Sequence, residues 1–261
     1  MNNHILFIVL CFVTNIHSAQ KATPSQFSAK ISYKMVTKLR GNLIEQPSEL
    51  IIQNHQSIFI HSKGATGLAA IDVEIKQPDG SIAKMQDGYW QDTEGSIFYK
   101  NFKKKQLIVR EIVWMQPYLT SEPKLPELKW TIQEETKKIS NFDCQKAIIT
   151  FRGRHYTAWF TAQIPSNDGP WKFYGLPGLI LEIYDDVEEV KFGATSIEIP
   201  FSVENISPPT TGLKVSFKDY KRADELEFLK MKRAQLSKMD RNSSTEIKRN
   251  TPNLIEKEYE Q

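Results

Sequence analysis

Phe27-Ser28-Ala29-Lys30-Ile31-Ser32-Tyr33-Lys34-Met35 carries an apolar side chain at every second position, with Ser or Lys between them. Successive side chains of an extended strand point to opposite faces. Phe27, Ala29, Ile31, Tyr33 and Met35 therefore predict the buried face of a strand, and the serines and lysines its wet face. A helix would need apolar residues three and four apart.

The same texture recurs along the chain. Glu49 to Asn54, Gln56 to His61 and Ile71 to Lys76 read as strands, the last followed by a turn at Gln77-Pro78-Asp79-Gly80. Ser96 to Phe102 and Gln106 to Trp114 flank Lys103-Lys104-Lys105, which marks a hairpin tip. Gln116 to Lys129 holds Pro117, Pro123 and Pro126 and reads as a loop or edge crossing, because Pro cannot donate to a central ladder. Strand texture resumes at Trp130 to Ser140. Cys144 to Phe151 and His155 to Ile164 form a hairpin about Arg152-Gly153-Arg154. Leu179 to Tyr184 and Lys191 to Ile199 predict a last pair. Strands recurring at this spacing with turn signals between them predict a mainly β fold: a curved antiparallel sheet, or a partly open barrel or sandwich. Leu226, Leu229 and Leu236 share one helical side, so Asp219 to Met239 predicts a C-terminal helix.

Of the 261 residues 40% are hydrophobic, which excludes a disordered chain. A net charge of +3 is too small to argue for nucleic acid. The apolar run Ile5 to Ile16 has the length of a signal-peptide core and is followed by small residues that favour cleavage after Ala19. The expected division is a signal peptide at 1–19, a β-rich domain at 20–210, a charged helix at 211–240 and a flexible tail at 241–261. Cleavage would remove Cys11 and leave Cys144 alone, so no internal disulfide is expected.

Searches for established chemistry return little. There is no Gly-x-Ser-x-Gly elbow, no His-Glu-x-x-His, no P-loop and no Cys-x-x-Cys. His55 and His61 could share a metal, but no third ligand is placed, and ordinary histidines explain them as well. No metal and no cofactor is expected. Cys144 and His155 lie on two arms of one predicted hairpin and could form a nucleophile pair, although the apolar neighbours of Cys144 favour a buried thiol. Asp185, Asp186, Glu188 and Glu189 could bind a cation or simply line a solvated loop. Arg152 and Arg154 could hold an anion or be solvated turn residues. Trp171, Phe173 and Tyr174 follow Gly169-Pro170 in a loop, where they could line a ligand mouth or join the core.

Gly175-Leu176-Pro177-Gly178-Leu179-Ile180 is the peptide GLPGLI. With Phe142 to Ala147, Arg152 to Thr161, Ile164-Pro165 and Gly169-Pro170-Trp171-Lys172-Phe173, this block closely resembles the GLPGLI family of exported proteins of Gram-negative bacteria. The resemblance covers roughly residues 130 to 190. It implies export to the periplasm, the outer membrane or the exterior, and it implies no activity, since the family has no assigned catalytic residues. The peptide itself fits a type II turn with Pro177 at i+1 and Gly178 supplying positive φ at i+2. Gly175 then allows close backbone approach, and Leu176, Leu179 and Ile180 anchor the corner in the core.

A sheet with one apolar face must cover it, and the predicted helix is too charged to cover all of it. The sequence thus points to a non-catalytic envelope protein. It would bind an apolar ligand or a protein partner on the concave face, with Trp171, Phe173 and Tyr174 at its edge. The alternatives are an envelope hydrolase with its site near Cys144 and His155, and a structural accessory of an outer-membrane complex.

Overall fold

The computed structural model describes residues 27–39, 42–69, 73–76, 82–85, 88–113, 116–236 and 256. The leader expected at 1–19, the turn expected at Gln77–Gly80 and, Glu256 apart, the tail expected at 241–261 lie outside these residues. The opening stretch forms β1 (Ser28–Leu39), and its alternation is obeyed: Ala29, Ile31, Tyr33 and Met35 are all buried. β2 (Asn42–Gln53) and β3 (Gln56–His61) follow as antiparallel neighbours. Two small ribbons come next: β4 (Ala65–Ala69) with β7 (Gly88–Asp92), and β5 (Val73–Lys76) with β6 (Ile82–Met85).

The chain then returns to the main sheet as β8 (Ser96–Asn101), β9 (Gln106–Val113), β10 (Gln116–Glu122), β11 (Thr131–Ile139), β12 (Phe142–Phe151), β13 (Arg154–Thr161), β14 (Leu179–Asp185) and β15 (Val190–Glu198). With β16 (Leu213–Lys214) they make one open, curved sheet of 12 strands, in the order β11-β12-β13-β14-β15-β1-β2-β3-β8-β9-β10-β16. Every pair is antiparallel except β10 with β16. The fold is therefore the mainly β, curved-sheet class that the periodicity predicts, with a C-terminal helix.

Irregularities in register at Ser32/Tyr33, Ile132/Thr136 and Trp159/Phe160 bend the sheet, as bulges do. β12 and β13 join through Arg152 (φ 51) and Gly153 (φ 74). Two consecutive positive φ angles are what a tight I′ hairpin requires.

The structure corrects three expectations. Gln116 to Glu122 is a strand despite Pro117, because β16 is only 2 residues long and pairs only with Tyr118 and Leu119, leaving Pro117 on an edge. The C-terminal helix splits into α1 (Phe217–Tyr220) and α2 (Ala223–Leu236). Tyr220 and Ala223 pack on Tyr118 at the β9–β10 end, so these helices do not cover the main core.

The third correction exchanges the two glycines of the GLPGLI peptide. Positive φ falls on Gly175 (φ 95), and Gly178 is not among the positive-φ residues. Gly178 instead passes against β13: a Cβ there would lie 2.2 Å from the Thr161 carbonyl oxygen. The type II turn is therefore not formed. The anchoring role holds, with Leu176, Leu179 and Ile180 buried at 1%, 0% and 0% exposure. Gly178→Ala should lose stability at the upper end of the roughly 1–3 kcal/mol typical of overpacking. Gly175→Ala, whose Cβ would meet the Trp130 ring only at ordinary van der Waals distance, should lose only about 1 kcal/mol from its backbone angle. Urea denaturation of the two variants checks the ranking, and equal losses would contradict it.

Candidate functional site

β13 and β14 are antiparallel neighbours, yet the connection between them runs from 162 to 178 instead of turning tightly. It folds back into the concave face. The Trp171 ring meets Phe98 of β8 at 6.2 Å and Phe151 of β12 at 5.9 Å, both edge-on. Phe173 meets Tyr156 of β13 at 4.8 Å and Phe151 at 5.9 Å. Trp171 thus bridges the two arms of the curved sheet, and Phe173 packs beside it on the β12–β13 arm. Trp171 and Phe173 are 1% and 0% exposed, so they are core and do not edge an open ligand mouth. Tyr174 is half-buried against Phe102, and its hydroxyl donates to the Pro126 carbonyl. The cover that the apolar face needs comes from the chain itself.

A loop inside a core brings backbone polar groups and charges with it, and these must be satisfied. Lys100 of β8 is fully buried and donates from Nζ to Asp168 Oδ1, to the Gly169 carbonyl (2.8 Å) and to the Phe173 carbonyl (3.2 Å). Its three protons therefore meet three acceptors on the loop. Tyr33 of β1 donates to the Ile180 carbonyl at 2.6 Å. Lys172, also fully buried, reaches Glu122 Oε1 and Glu256 Oε1, each at 2.5 Å. Arg152 reaches Glu122 Oε2 at 2.7 Å. Sequence reading missed Lys100, Asp168, Lys172, Glu122 and Glu256.

The candidates for catalysis are dispersed. Thr150 faces His155 across the β12–β13 ladder, and Cys144 lies six positions further along β12. At about 3.3 Å per residue that is on the order of 20 Å, far beyond a nucleophile–base contact. Cys144 is 1% exposed, and burial pushes its thiol pKa up. Arg152 and Arg154 are buried ion-pair partners, not solvated turn residues: Arg154 holds Asp185 at 2.5 Å and Glu189 at 2.8 Å. Asp185 also accepts from the backbone of Glu189 and Val190, which closes the β14–β15 turn. Among the described residues no group of three or more His, Cys, Asp or Glu is placed to hold a metal.

The opposite face of the same hairpin is open. Thr131, Ile148, Thr150, His155 and Thr157, with Lys129 and Asp186 at the ends, line a cleft of about 600 Å³. Alternation along β12 and β13 buries Ile149, Phe151, Tyr156 and Ala158 and leaves Ile148, Thr150, His155 and Thr157 to the cleft, whose lining Ile149 and Tyr156 also join. Thr150 Oγ1 holds His155 Nδ1 at 2.7 Å, which fixes the imidazole and leaves its other nitrogen for the cleft. The size lies within the ordinary range for small-molecule sites.

A family described as a protein of unknown function (Porph_ging) matches residues 152–182, which span β13, the inserted loop and the start of β14. No curated protein matches. Among solved structures, PNGF-II aligns in its P21 form with a TM-score of 0.50 at 16% identity, over 75% of this chain and 32% of that one. Its C2 form aligns with a TM-score of 0.50 at 14% identity, over 76% and 33%. The chain thus spans about a third of the length of the PNGF-II structures it matches. At these identities the likeness is one of fold. A LolA superfamily protein from Nitrosomonas europaea aligns with a TM-score of 0.28 at 11% identity, over 69% of this chain and 89% of that one. No helix among the described residues is long and apolar enough to cross a membrane.

His61 of β3 lies behind the inserted loop, stacked on Phe98 at 5.8 Å, and its Nε2 has no hydrogen-bond partner among the described residues. Burial lowers its pKa from 6.5 to about 4. A lowered histidine stabilises the fold fully above its unfolded pKa and loses that contribution as the pH falls toward the folded value. The loss should amount to roughly 3 kcal/mol between pH 6.5 and 4. Denaturant melts across this window should show it in the native protein and a flatter curve in His61→Phe. Parallel curves would contradict it.

Proposed function

We propose that the chain is an exported envelope protein that acts by binding, and that its ligand or partner engages the outer cleft over β12 and β13. One observation carries this reading: the concave face is filled by residues 162–178, whereas the other face of the same hairpin offers an open cavity of about 600 Å³. The cleft combines an apolar floor at Ile148 with hydroxyls, an imidazole, an ammonium and a carboxylate. Such a mixture suits a ligand with both donors and acceptors, or a partner loop. Export is supported by the apolar run Ile5 to Ile16 ahead of Ala19, and membership of the GLPGLI family by the peptide at Gly175–Ile180. The separation of Cys144 from His155 speaks against the hydrolase reading.

A second reading keeps the concave face as the site, with an apolar ligand displacing the inserted loop. Trp171 favours it, since its φ of 52 is strained for a bulky residue. That strain is worth roughly 1–3 kcal/mol. Burial of Trp171, Phe173 and Leu176 opposes release by about 1.5–3 kcal/mol for each side chain, before any ion pair is counted. The closed loop wins, so the outer cleft is the better candidate.

Native mass spectrometry of the protein purified from its own envelope separates these readings. The native chain should carry a bound species. Thr157→Trp, which fills the outer cleft from a half-buried position on β13, should lose it while the protein still melts cooperatively. Retention of the species by Thr157→Trp would move the site off the cleft, and an empty native protein would argue against a binding role.

A further inference from the structure

Lys100 lies in β8 and is paired on both sides, with Ser57 of β3 and with Leu107 of β9. Its side chain is therefore carried into the core by a strand that cannot shift alone. Asp168 is pinned as firmly on the inserted loop. Its carbonyl accepts from Ile180 N at 3.0 Å, and its backbone bridges to Tyr174. The two side chains are 0% and 1% exposed, and Nζ donates to Oδ1. A nitrogen and a carboxyl carbon are thus held side by side, with the entropy of bringing them together already spent in folding.

An ion pair alone accounts for Nζ, whose other protons go to the carbonyls of Gly169 and Phe173. It does not account for the carboxylate. Oδ1 accepts a second bond, from Gly169 N–H at 2.7 Å, but Oδ2 is buried without a hydrogen-bond partner among the described residues. An anionic oxygen left dry and unpaired is costly, and such groups neutralise. Proton transfer from Nζ to the carboxylate leaves an amine beside a carboxylic acid, the two forms that can condense. Burial pushes the lysine the same way: it lowers the Lys100 pKa, against the opposing pull of the Asp168 charge.

We propose that Lys100 and Asp168 condense to an amide, an internal cross-link between β8 and the inserted loop. Nζ attacks Cγ, and charge that builds on Oδ1 is met by the Gly169 N–H. The Cγ–Oδ2 bond breaks, and Oδ2 departs with two of the three ammonium protons as water. The third proton stays on the amide nitrogen. The positive and negative charges cancel, and the step needs no oxidant, reductant or co-reactant. The product joins residues 68 positions apart. It holds the loop in the concave face as a disulfide would, by restricting the unfolded chain. The cross-link does not depend on the binding role of the outer cleft.

Intact-mass spectrometry of the full chain, unfolded in denaturant, tests this. The native protein should be lighter by one water than its sequence read from its own N-terminus. A tryptic digest should contain a branched peptide that joins the Lys100 and Asp168 segments, with no cleavage after Lys100. Lys100→Met and Asp168→Ala should each show the full mass of their sequence. A native chain at its full sequence mass would overturn the proposal. So would a water loss that persists in Lys100→Met, since Asp168 can also lose water by closing onto the Gly169 nitrogen, and that ring needs no lysine. The native mass and the branched peptide decide the question even if neither variant folds.

Discussion

An open curved sheet has one apolar face too large for its own helices to cover, and this constraint organises the rest of the molecule. α1 and α2 pack at the β9–β10 end, on Tyr118. The cover comes instead from the 162–178 connection, which carries Trp171, Phe173 and Leu176 into the concavity. Because β8 supplies Phe98 and β12 supplies Phe151 to the same Trp171 ring, the two arms of the sheet are held by one side chain. Curvature, which the strand irregularities permit, is fixed by this contact.

Inserting a loop where a helix would serve has a polar consequence. A helix satisfies its own backbone, and an irregular segment does not. The carbonyls of Gly169 and Phe173 therefore need an outside donor, and Lys100 provides it. Buried ion pairs add little net stability compared with apolar replacements, but breaking one is costly. Lys100 with Asp168, and Lys172 with Glu122, thus select the seated geometry of the loop while the aromatic rings supply the burial energy. A loop shifted by one residue would keep much of its apolar contact and leave two ammonium groups without acceptors.

The sheet was legible because period two is a local property. Ala29, Ile31, Tyr33 and Met35 announce their face without help from distant residues. Turn chemistry was half legible: Arg152-Gly153 turned as read, whereas at 175–178 each glycine was recognised and their reasons were exchanged. Which glycine takes the unusual angle depends on how β13 approaches, and Thr161 is far away in sequence. Lys100 did leave a trace, since it shares the buried phase of its strand with Phe98. A cation on an apolar phase signals a buried partner, but nothing local names Asp168. Glu256 left no trace at all, because its partners Lys172 and Arg152 lie far from it in sequence.

The same alternation that builds the core also decides where a binding site can lie. On β12 and β13, Ile149, Phe151, Tyr156 and Ala158 are committed to the inserted loop. Their neighbours Ile148, Thr150, His155 and Thr157 are free of that duty and face outward. A strand pair buried on one side by its own chain is rigid, and a rigid pair can present an ordered constellation on its other side at little entropic cost. On the proposed reading the inserted loop then has a part in function without touching a ligand. By immobilising the hairpin from within, it sets the positions of the hydroxyls and the imidazole that line the cleft outside.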